Sequence, residues 1–500
     1  MSDFKNIANQ SSIFLLGTIF TVVVGFFFKI FLAKQLGAEG LGIYSLGISI
    51  ITVFSVFVSL GLGNGLVKYV SKYVVEKNKI QLHTYLHNTF KYSFITTVIF
   101  GSILLVFPDY IGDKLLSTPE ISPYLRFFAI LLFVNTGISL FDQTIRGLKE
   151  VKKSTIFGNF IRQPLKIIFA IVFIKIGLNL DGYLYAEIFA AIITLFFFYK
   201  ITKKHLPEGI SRIRSFPITK INKEERNFGI NFMIIGVVGI FNSEADKILL
   251  AKYFTIKELG VYSIILTFTA FVPIVLKSVI AIFGPIISEK FAIAKFDEIS
   301  ALVKNISYYI FLSSFSIVII IAFGGKLLLG LFGSEFVIGY IPMVVILFGG
   351  IFDMMTGAVG TVLVMSGNEK QVRNIQVIGF VISVSLFVVL IPLLGILGAA
   401  IIKMIVLIII NVYLTYIMYK KNKIFIFNTR YIKLILFSFL FLFSSIIIRE
   451  IFQWNSASMI ISVLVGLMFL FYSSWYLFFA EDSEQRVIRG FVKSKLKWNE

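Results

Sequence analysis

The sequence contains no cysteine, so disulfide bonds and cysteine-based metal or redox sites are excluded. Charged residues are also scarce, at 15% of 500 residues, whereas hydrophobic residues make up 57%. This composition lies outside the range of soluble globular proteins. The G-x-x-x-x-G-K-[S/T] motif of a phosphate-binding loop is missing as well, which argues against ATP as the direct energy source.

Apolar runs recur instead from one end of the chain to the other. Windows of about 20 apolar residues predict fourteen transmembrane helices. They lie near residues 11–33, 41–65, 90–107, 123–142, 154–176, 182–199, 228–251, 260–282, 305–324, 341–365, 375–394, 398–418, 432–448 and 457–480. The chain is therefore predicted to be an all-α integral membrane protein.

The net charge of +20 is explained by a membrane rather than by nucleic acid, for which no role is expected. If the N-terminus is cytoplasmic, 33 of the 47 Lys and Arg residues fall on the cytoplasmic side, 7 on the outer side and 7 within helices. This asymmetry follows the positive-inside rule. It predicts a multi-pass protein of the cell membrane with both termini in the cytoplasm.

An internal repeat divides the helices into two sets. Residues 31–45 (FLAKQLGAEGLGIYS) align without gaps on residues 249–263 (LLAKYFTIKELGVYS) at an offset of 218 residues. The same offset places Lys29 on Lys247. Each set holds six helices, an even number, so both sets enter the membrane in the same direction. This predicts a parallel repeat whose axis runs along the membrane normal.

The predicted architecture is therefore two six-helix lobes around a central cavity. An N-lobe (helices 1–6) covers residues 1–200, and a C-lobe (helices 7–12) covers residues 228–420. A basic cytoplasmic linker, residues 201–227, joins the lobes. Helices 13 and 14 lie in residues 421–480, and a basic cytoplasmic tail follows in residues 481–500.

This architecture and two short motifs resemble one group of proteins. The motifs are the residues Leu36, Gly37, Gly42 and Tyr44 after the first helix and the run DKILL that begins at Asp246. The chain resembles the polysaccharide-unit (lipid-linked oligosaccharide) flippases of the multidrug/oligosaccharidyl-lipid/polysaccharide exporter superfamily.

The resemblance implies that the protein moves a polyprenyl-pyrophosphate-linked oligosaccharide from the inner to the outer leaflet by alternating access, coupled to an ion gradient, for surface polysaccharide biosynthesis. Expected partners are this lipid-linked glycan, membrane lipids and a coupling proton or sodium ion, with a glycan polymerase and chain-length proteins as further partners. In similar peptidoglycan-precursor flippases, two extra C-terminal helices form a groove for the lipid tail, a role that helices 13 and 14 would fit. The alternative is a cation-coupled drug or metabolite antiporter of the same superfamily, although such antiporters usually stop at twelve helices.

An enzyme acting on lipid-linked sugars would need a sizeable domain outside the membrane. The longest predicted extramembrane segment, residues 201–227, is basic and has few carboxylates. We therefore expect no enzyme activity, no catalytic residues, no metal site and no cofactor.

Ionisable residues within the predicted helices are the candidates for a transport site. A charge at the centre of a bilayer costs roughly 2.5–3.5 kcal/mol on insertion scales, so each one requires a reason. The residues are Lys29, Arg126, Arg162, Lys166, Lys247, Lys277, Lys403, Glu187, Glu244, Asp246 and Asp353.

Arg162 and Lys166 are the leading candidates for substrate binding. Their i, i+4 spacing places them on one helix face, and Pro164 between them loosens the helix. Two cations on one face near mid-depth suit the pyrophosphate of the substrate. The alternative is a boundary helix whose cations snorkel towards the cytoplasm.

Asp353 lies near the bilayer centre, where it is predicted either to pair with a cation or to bind the coupling ion. Glu244 and Asp246 are further candidates for ion coupling, although a local ion pair with Lys247 explains them as well. Lys29 and Lys277 complete the substrate-binding set, although each could reach lipid headgroups instead.

Three other charges, Arg126, Glu187 and Lys403, lie near outer helix ends and are predicted to be anchors. Counted over all these residues, the first lobe carries a net charge of +3 and the second a net charge of zero. We therefore expect an anion-binding first lobe that faces a cation-sensitive second lobe.

Overall fold

Helices form almost all of the described chain, because apolar segments in lipid must satisfy their backbone hydrogen bonds internally. The computed structural model describes residues 2–206, 221–293, 296–452 and 456–486, and these ranges contain no β-strand. The α-helices are α1 (Ser2–Ser59), α2 (Leu62–Val75), α3 (Lys79–Val106), α4 (Leu125–Gly147), α5 (Val151–Thr155), α6 (Arg162–Phe173), α7 (Asn179–His205), α8 (Lys223–Tyr253), α9 (Ile256–Thr269), α10 (Ile274–Ala292), α11 (Phe296–Gly330), α12 (Tyr340–Thr356), α13 (Val359–Met365), α14 (Glu369–Asn422), α15 (Thr429–Phe452) and α16 (Ala457–Phe478).

Ten helical stretches in these ranges are long and apolar enough to cross a membrane, or eleven if the bent pair Ile256–Thr269 and Ile274–Ile280 is one span. The chain is therefore a multi-pass membrane protein. Three of the stretches, at 44, 55 and 54 residues, are far longer than the roughly 20 residues that one span needs. They are Leu16–Ser59, Val151–His205 and Glu369–Asn422.

Each of the three long stretches is interrupted by a glycine in a left-handed backbone conformation. The glycines are Gly37 (φ 66°), Gly177 (φ 98°) and Gly395 (φ 56°). A residue without a Cβ adopts such angles at little cost, so these positions are where the chain can break its helix. They coincide with the boundaries that the sequence predicted between helices 1 and 2, 5 and 6, and 11 and 12. Gly177 and Gly395 also differ by the repeat offset of 218 residues.

Contacts within the chain define two units. The first is Met1–Ser263 with Val384–Ala399, and the second is Ile264–Ser383 with Ala400–Glu500. In the first unit α7 packs on α4 and α6, and α8 packs on α1 and α2. In the second unit α11 packs on α10, α12, α15 and α16. Since α8 was expected in the C-lobe, this division differs from the division by repeat, and the lobe boundaries stay predictions.

The predicted linker and tail are described only in part. Residues 207–220 of the linker and 487–500 of the tail lie outside the described residues. Of the remaining linker, α7 extends to His205, and α8 begins at Lys223 behind a capping box formed by Asn222 and Glu225. Predicted helices 13 and 14 correspond to α15 and α16.

Candidate functional site

An irregular helical segment carries the two leading cations. A π-helical turn, Ile156–Ile161, immediately precedes α6, and Arg162 is the first residue of that helix. Pro164 has no backbone N–H to donate to the preceding turn, which favours the wider turn at this place. Lys166 follows one regular turn later, so both side chains project from the same face of α6.

Glu187 of α7 lies between these two cations. Its Oε1 is 3.4 Å from Nη2 of Arg162, and its Oε2 is 3.3 Å from Nζ of Lys166. The hydroxyl of Tyr44 donates to Oε2 at 3.3 Å. Arg162 also donates from Nη2 to Oδ1 of Asn135 at 2.8 Å. The structure thus brings Arg162 and Lys166 together, as predicted, and adds a carboxylate partner; we call these five residues the cation cluster.

Burial differs between the members of the cation cluster. The Glu187 side chain is 8% exposed, whereas those of Arg162 and Lys166 are 23% and 16% exposed. Two cations and one carboxylate leave one positive charge in excess. The enclosed carboxylate offsets the desolvation penalty of the two partly buried cations. The exposed parts of the cations remain able to bind an anion.

Two equivalent tyrosines of the repeat take equivalent roles. Tyr44 donates to Glu187, and Tyr262, which lies 218 residues later, donates to Oδ2 of Asp246 at 2.7 Å. Asp246 and Tyr262 are both buried. The tyrosine of the repeated motif therefore serves in each copy as a hydrogen-bond donor to a membrane carboxylate.

Glu244 belongs to a second polar group of the first unit. It accepts hydrogen bonds through Oε2 from Nζ of Lys247 at 2.6 Å and from Oγ of Ser49 at 2.7 Å. Lys29 donates to the carbonyl oxygen of Ser263 at 3.1 Å. The local ion pair that the sequence left open for Glu244 is thus present.

Asp353 and Lys277 lie in the second unit. The Asp353 carboxylate is half-buried and accepts a hydrogen bond through Oδ1 from Nδ2 of Asn411 at 3.2 Å. Asn411 in turn accepts from the hydroxyl of Thr356 at 2.6 Å. Lys277 is an exposed residue of α10. Among the described residues, no group of three or more His, Asp or Glu side chains could hold a metal ion.

A cavity of about 360 Å³ adjoins the cation cluster in the first unit. Asn135, which accepts from Arg162, also lines this cavity, as does Phe232 of α8. The other polar side chains of its wall are uncharged: Thr52, Ser55, Ser59, Asn64, Thr136 and Ser139. We call it the polar cavity.

Comparison with known families identifies the group to which this fold belongs. Residues 7–291, more than half of the chain, match the family described as polysaccharide biosynthesis protein. The chain belongs to the polysaccharide biosynthesis protein family. The resemblance noted from the sequence is thereby confirmed. No curated protein matches the chain in sequence.

Solved structures share the fold of this family member at low sequence identity. The lipid II flippase MurJ in an inward closed conformation has a TM-score of 0.70 and 14% identity, with 93% of this chain and 98% of MurJ covered. An inward-facing multidrug resistance MATE family transporter of the MOP superfamily has a TM-score of 0.65 and 14% identity, with 83% of this chain and 97% of the transporter covered. Both of these solved structures are of transport proteins, one a lipid flippase and the other a multidrug transporter.

Glu187 is the member of the cation cluster that sequence reasoning misplaced. It was expected to anchor an outer helix end, whereas it is buried between Arg162 and Lys166. A signal was available: Lys166 lies 12 residues before Leu178, at the break between α6 and α7, and Glu187 lies 9 residues after it. Counting both ways from the break brings the two residues to similar depth in antiparallel helices. Before the fold was known, Asn135 stood out only as the repeat equivalent of Asp353, 218 residues later, and Tyr44 only as a motif residue.

Proposed function

We propose that the protein is a flippase that moves a polyprenyl-pyrophosphate-linked oligosaccharide from the inner to the outer leaflet by alternating access for surface polysaccharide biosynthesis. The observation that carries this proposal is the cation cluster. Arg162 and Lys166 present an excess positive charge, partly exposed, on a helix of the membrane region. Such a site suits the diphosphate that links the lipid to the glycan.

Glu187 holds the two cations in place during the part of the transport cycle in which no substrate is bound. With no substrate present, its carboxylate balances one of the two positive charges of Arg162 and Lys166. An arriving diphosphate carries more negative charge and competes for the same N–H donors. We infer that the substrate takes over contacts that Glu187 holds here, and that Glu187 regains them when the substrate leaves.

The proposed topology has fourteen spans with both termini in the cytoplasm of the cell membrane. Each of the three long helical stretches crosses twice, with its break at Gly37, Gly177 or Gly395. The bent pair α9 and α10 supplies one further span. In this topology the two lobes are parallel six-helix repeats, and α15 and α16 border the lipid tail of the substrate.

Coupling to a proton or sodium gradient is assigned to Asp353, with Glu244 and Asp246 as further candidates. A half-buried carboxylate beside a buried amide, Asn411, suits the reversible binding of a small cation. We assign Lys29 and Lys277 to contacts with the anionic substrate at other stages of transport, before or after the substrate lies at the cation cluster. A glycan polymerase and chain-length proteins are the proposed partners in the membrane.

The competing function is a cation-coupled drug or metabolite antiporter. Two features support the flippase over it: the excess positive charge of the cation cluster repels cationic drugs, and the polar cavity is lined by uncharged hydroxyl and amide groups. A polyhydroxylated anion matches both features.

The proposal is tested with purified protein in liposomes. Lipid-linked oligosaccharides isolated from cells that make the protein carry a fluorescent label on the glycan, and a membrane-impermeant glycosidase reports the leaflet. We expect the protein to exchange the labelled lipid between leaflets faster than protein-free liposomes. Transport of a cationic dye against a proton or sodium gradient, with no movement of the labelled lipid, would favour the antiporter.

A further inference from the structure

Four of the five hydroxyl groups that line the polar cavity are already committed as donors, the exception being that of Ser139. Thr52 and Thr136 each donate to a backbone carbonyl of their own helix, and two serines do the same. The bonds are Thr52 to Ile48 (2.7 Å), Ser55 to Thr52 (2.6 Å), Ser59 to Val56 (3.3 Å) and Thr136 to Leu132 (2.7 Å). A hydroxyl has one proton to donate and two lone pairs. These four side chains therefore offer the cavity acceptors only.

A wall lined by hydrogen-bond acceptors favours ligands that carry hydrogen-bond donors. Phosphate and carboxylate groups carry acceptors alone and would face these oxygens without a proton between them. Sugar hydroxyls can donate a proton to each of them. An ammonium ligand also donates hydrogen bonds. Arg162 would repel it, however, because the guanidinium contacts Asn135 of the cavity wall.

Two further wall residues complete a surface suited to a sugar ring. Phe232 of α8 is about one-third exposed and gives the cavity an apolar aromatic face. Asn64 is exposed and its amide supplies both donors and an acceptor. The volume of about 360 Å³ falls within the range of small-molecule sites, which begins at roughly 300 Å³.

We propose that the polar cavity binds the sugars nearest the diphosphate, with their hydroxyls donating to the oxygens of Thr52, Ser55, Ser59 and Thr136. Asn135 forms the junction, because it contacts Arg162 on one side and the cavity on the other. The order along the site, cations first and acceptor wall next, matches the order of groups along the substrate, diphosphate first and sugar next. This inference rests on the proposed function and adds the part of the glycan that the protein reads.

The test replaces the acceptor oxygens without changing side-chain shape. The Thr52→Val, Thr136→Val double variant removes two acceptors from the cavity and keeps both β-branched side chains. Thr144→Val is the matched control, because Thr144 lies on α4 like Thr136 and donates to Leu140 in the same way, at 2.8 Å, but lies outside the cavity. Wild type and both variants are reconstituted at equal density.

Two substrates separate the sugar contacts from the rest of the site: the lipid-linked oligosaccharides of the source cells, and polyprenyl diphosphate without sugar. We expect the double variant to require about tenfold more oligosaccharide lipid for half-maximal flipping, since each neutral hydrogen bond contributes roughly three- to tenfold. Flipping of polyprenyl diphosphate should be equal in all three proteins.

The outcomes distinguish this inference from the function beneath it. Equal dependence on oligosaccharide lipid in wild type and the double variant would overturn the sugar assignment alone. So would an equal loss with both substrates, because that result indicates a structural role for the threonines. A wild-type protein that moves neither lipid would contradict the proposed function itself.

Discussion

Gly42 and Gly260, which occupy equivalent positions of the repeat, make a reciprocal backbone contact. A Cβ added to Gly42 would lie 1.9 Å from the carbonyl oxygen of Ile256, and one added to Gly260 would lie 1.8 Å from that of Ala38. Ala38 and Ile256 are themselves equivalent positions of the repeat. In this contact each copy of the motif therefore offers the other the same surface. On the predicted orientation it closes the outer side of the first unit.

Substitution of these glycines should force this contact apart. In a Gly42→Ala, Gly260→Ala variant, each new methyl group overlaps a backbone oxygen, so we expect the outer-open conformation to become more populated. Spin labels at positions 39 and 257, exposed residues beside the contact, should move apart by several ångströms. The absence of cysteine from the chain allows both labels to be placed on single introduced thiols.

Gly101→Ala is the control for that experiment, because a Cβ at Gly101 meets nothing within 4 Å. It should leave the distance distribution as in the wild type. An unchanged distribution in the double glycine variant would show that the contact does not hold this side closed.

Glu187→Gln should lower stability and increase the response to diphosphate. The substitution leaves two cations without their carboxylate. Removing one partner of a fully buried ion pair lowers the free energy of unfolding by roughly 3–5 kcal/mol. Because Arg162 and Lys166 are partly exposed, we expect the lower end of this range, about 3 kcal/mol. Polyprenyl diphosphate should restore the missing negative charge. Thermal unfolding in detergent should show a lower Tm for the variant and a larger diphosphate-induced rise than in the wild type. Equal Tm values in the two proteins, with equal diphosphate-induced rises, would contradict a role of Glu187 in substrate binding.

Tyr73→Phe should loosen the contact between α2 and α8. The Tyr73 hydroxyl donates to the buried carboxylate of Glu225, and Lys68 pairs with Glu224 at 3.4 Å nearby. Labels at the exposed positions 72 and 226 should show a longer and broader distance in the variant. Tyr92→Phe, on an exposed face of α3, is the control and should change nothing.

The same contact should respond to alkaline pH. Burial, together with the hydrogen bond to Glu225, raises the pKa of Tyr73 above its usual value. The contact therefore adds stability that is fully present below the unfolded-state pKa, about 10, and is lost as pH rises above it. The distance between labels 72 and 226 should thus be constant from pH 6 to 9. A change within that interval would mean that another group titrates at the contact.

Asp353→Asn should uncouple transport from the ion gradient. The amide keeps a hydrogen-bonding group beside Asn411 but cannot hold a proton or sodium ion by charge. Flipping down the substrate gradient should persist in liposomes, whereas acceleration by a proton or sodium gradient should disappear. Glu450→Gln, which removes an exposed ion pair with Lys326, should retain the acceleration. Retained acceleration in Asp353→Asn would assign the coupling to another residue.

The sequence alone predicted the helical class, the family and the placement of Arg162 and Lys166 on one helix face. Composition, the repeat and i, i+4 spacing can all be read directly from the chain. Sequence reasoning missed Glu187 because depth was counted from each predicted helix end, which gives no information on the facing helix. It also left the acceptor wall unseen, since the role of Thr52 or Thr136 depends on which way its hydroxyl proton points. The sequence did predict helix boundaries at Gly37, Gly177 and Gly395, but not the positive φ that breaks the helix at each glycine, because that angle is a property of the folded backbone.

The most direct test of the central claim, that Arg162 and Lys166 bind the substrate's diphosphate, is export of surface glycan in a strain that lacks its own flippase. An Arg162→Ala, Lys166→Ala variant should abolish export while reaching wild-type levels in the membrane. Arg162→Lys should keep part of the activity, because the charge stays although the two-pronged guanidinium contact is lost. Arg126→Gln, at an exposed position of α4, should export as the wild type does. Full export by the Arg162→Ala, Lys166→Ala variant would contradict the account.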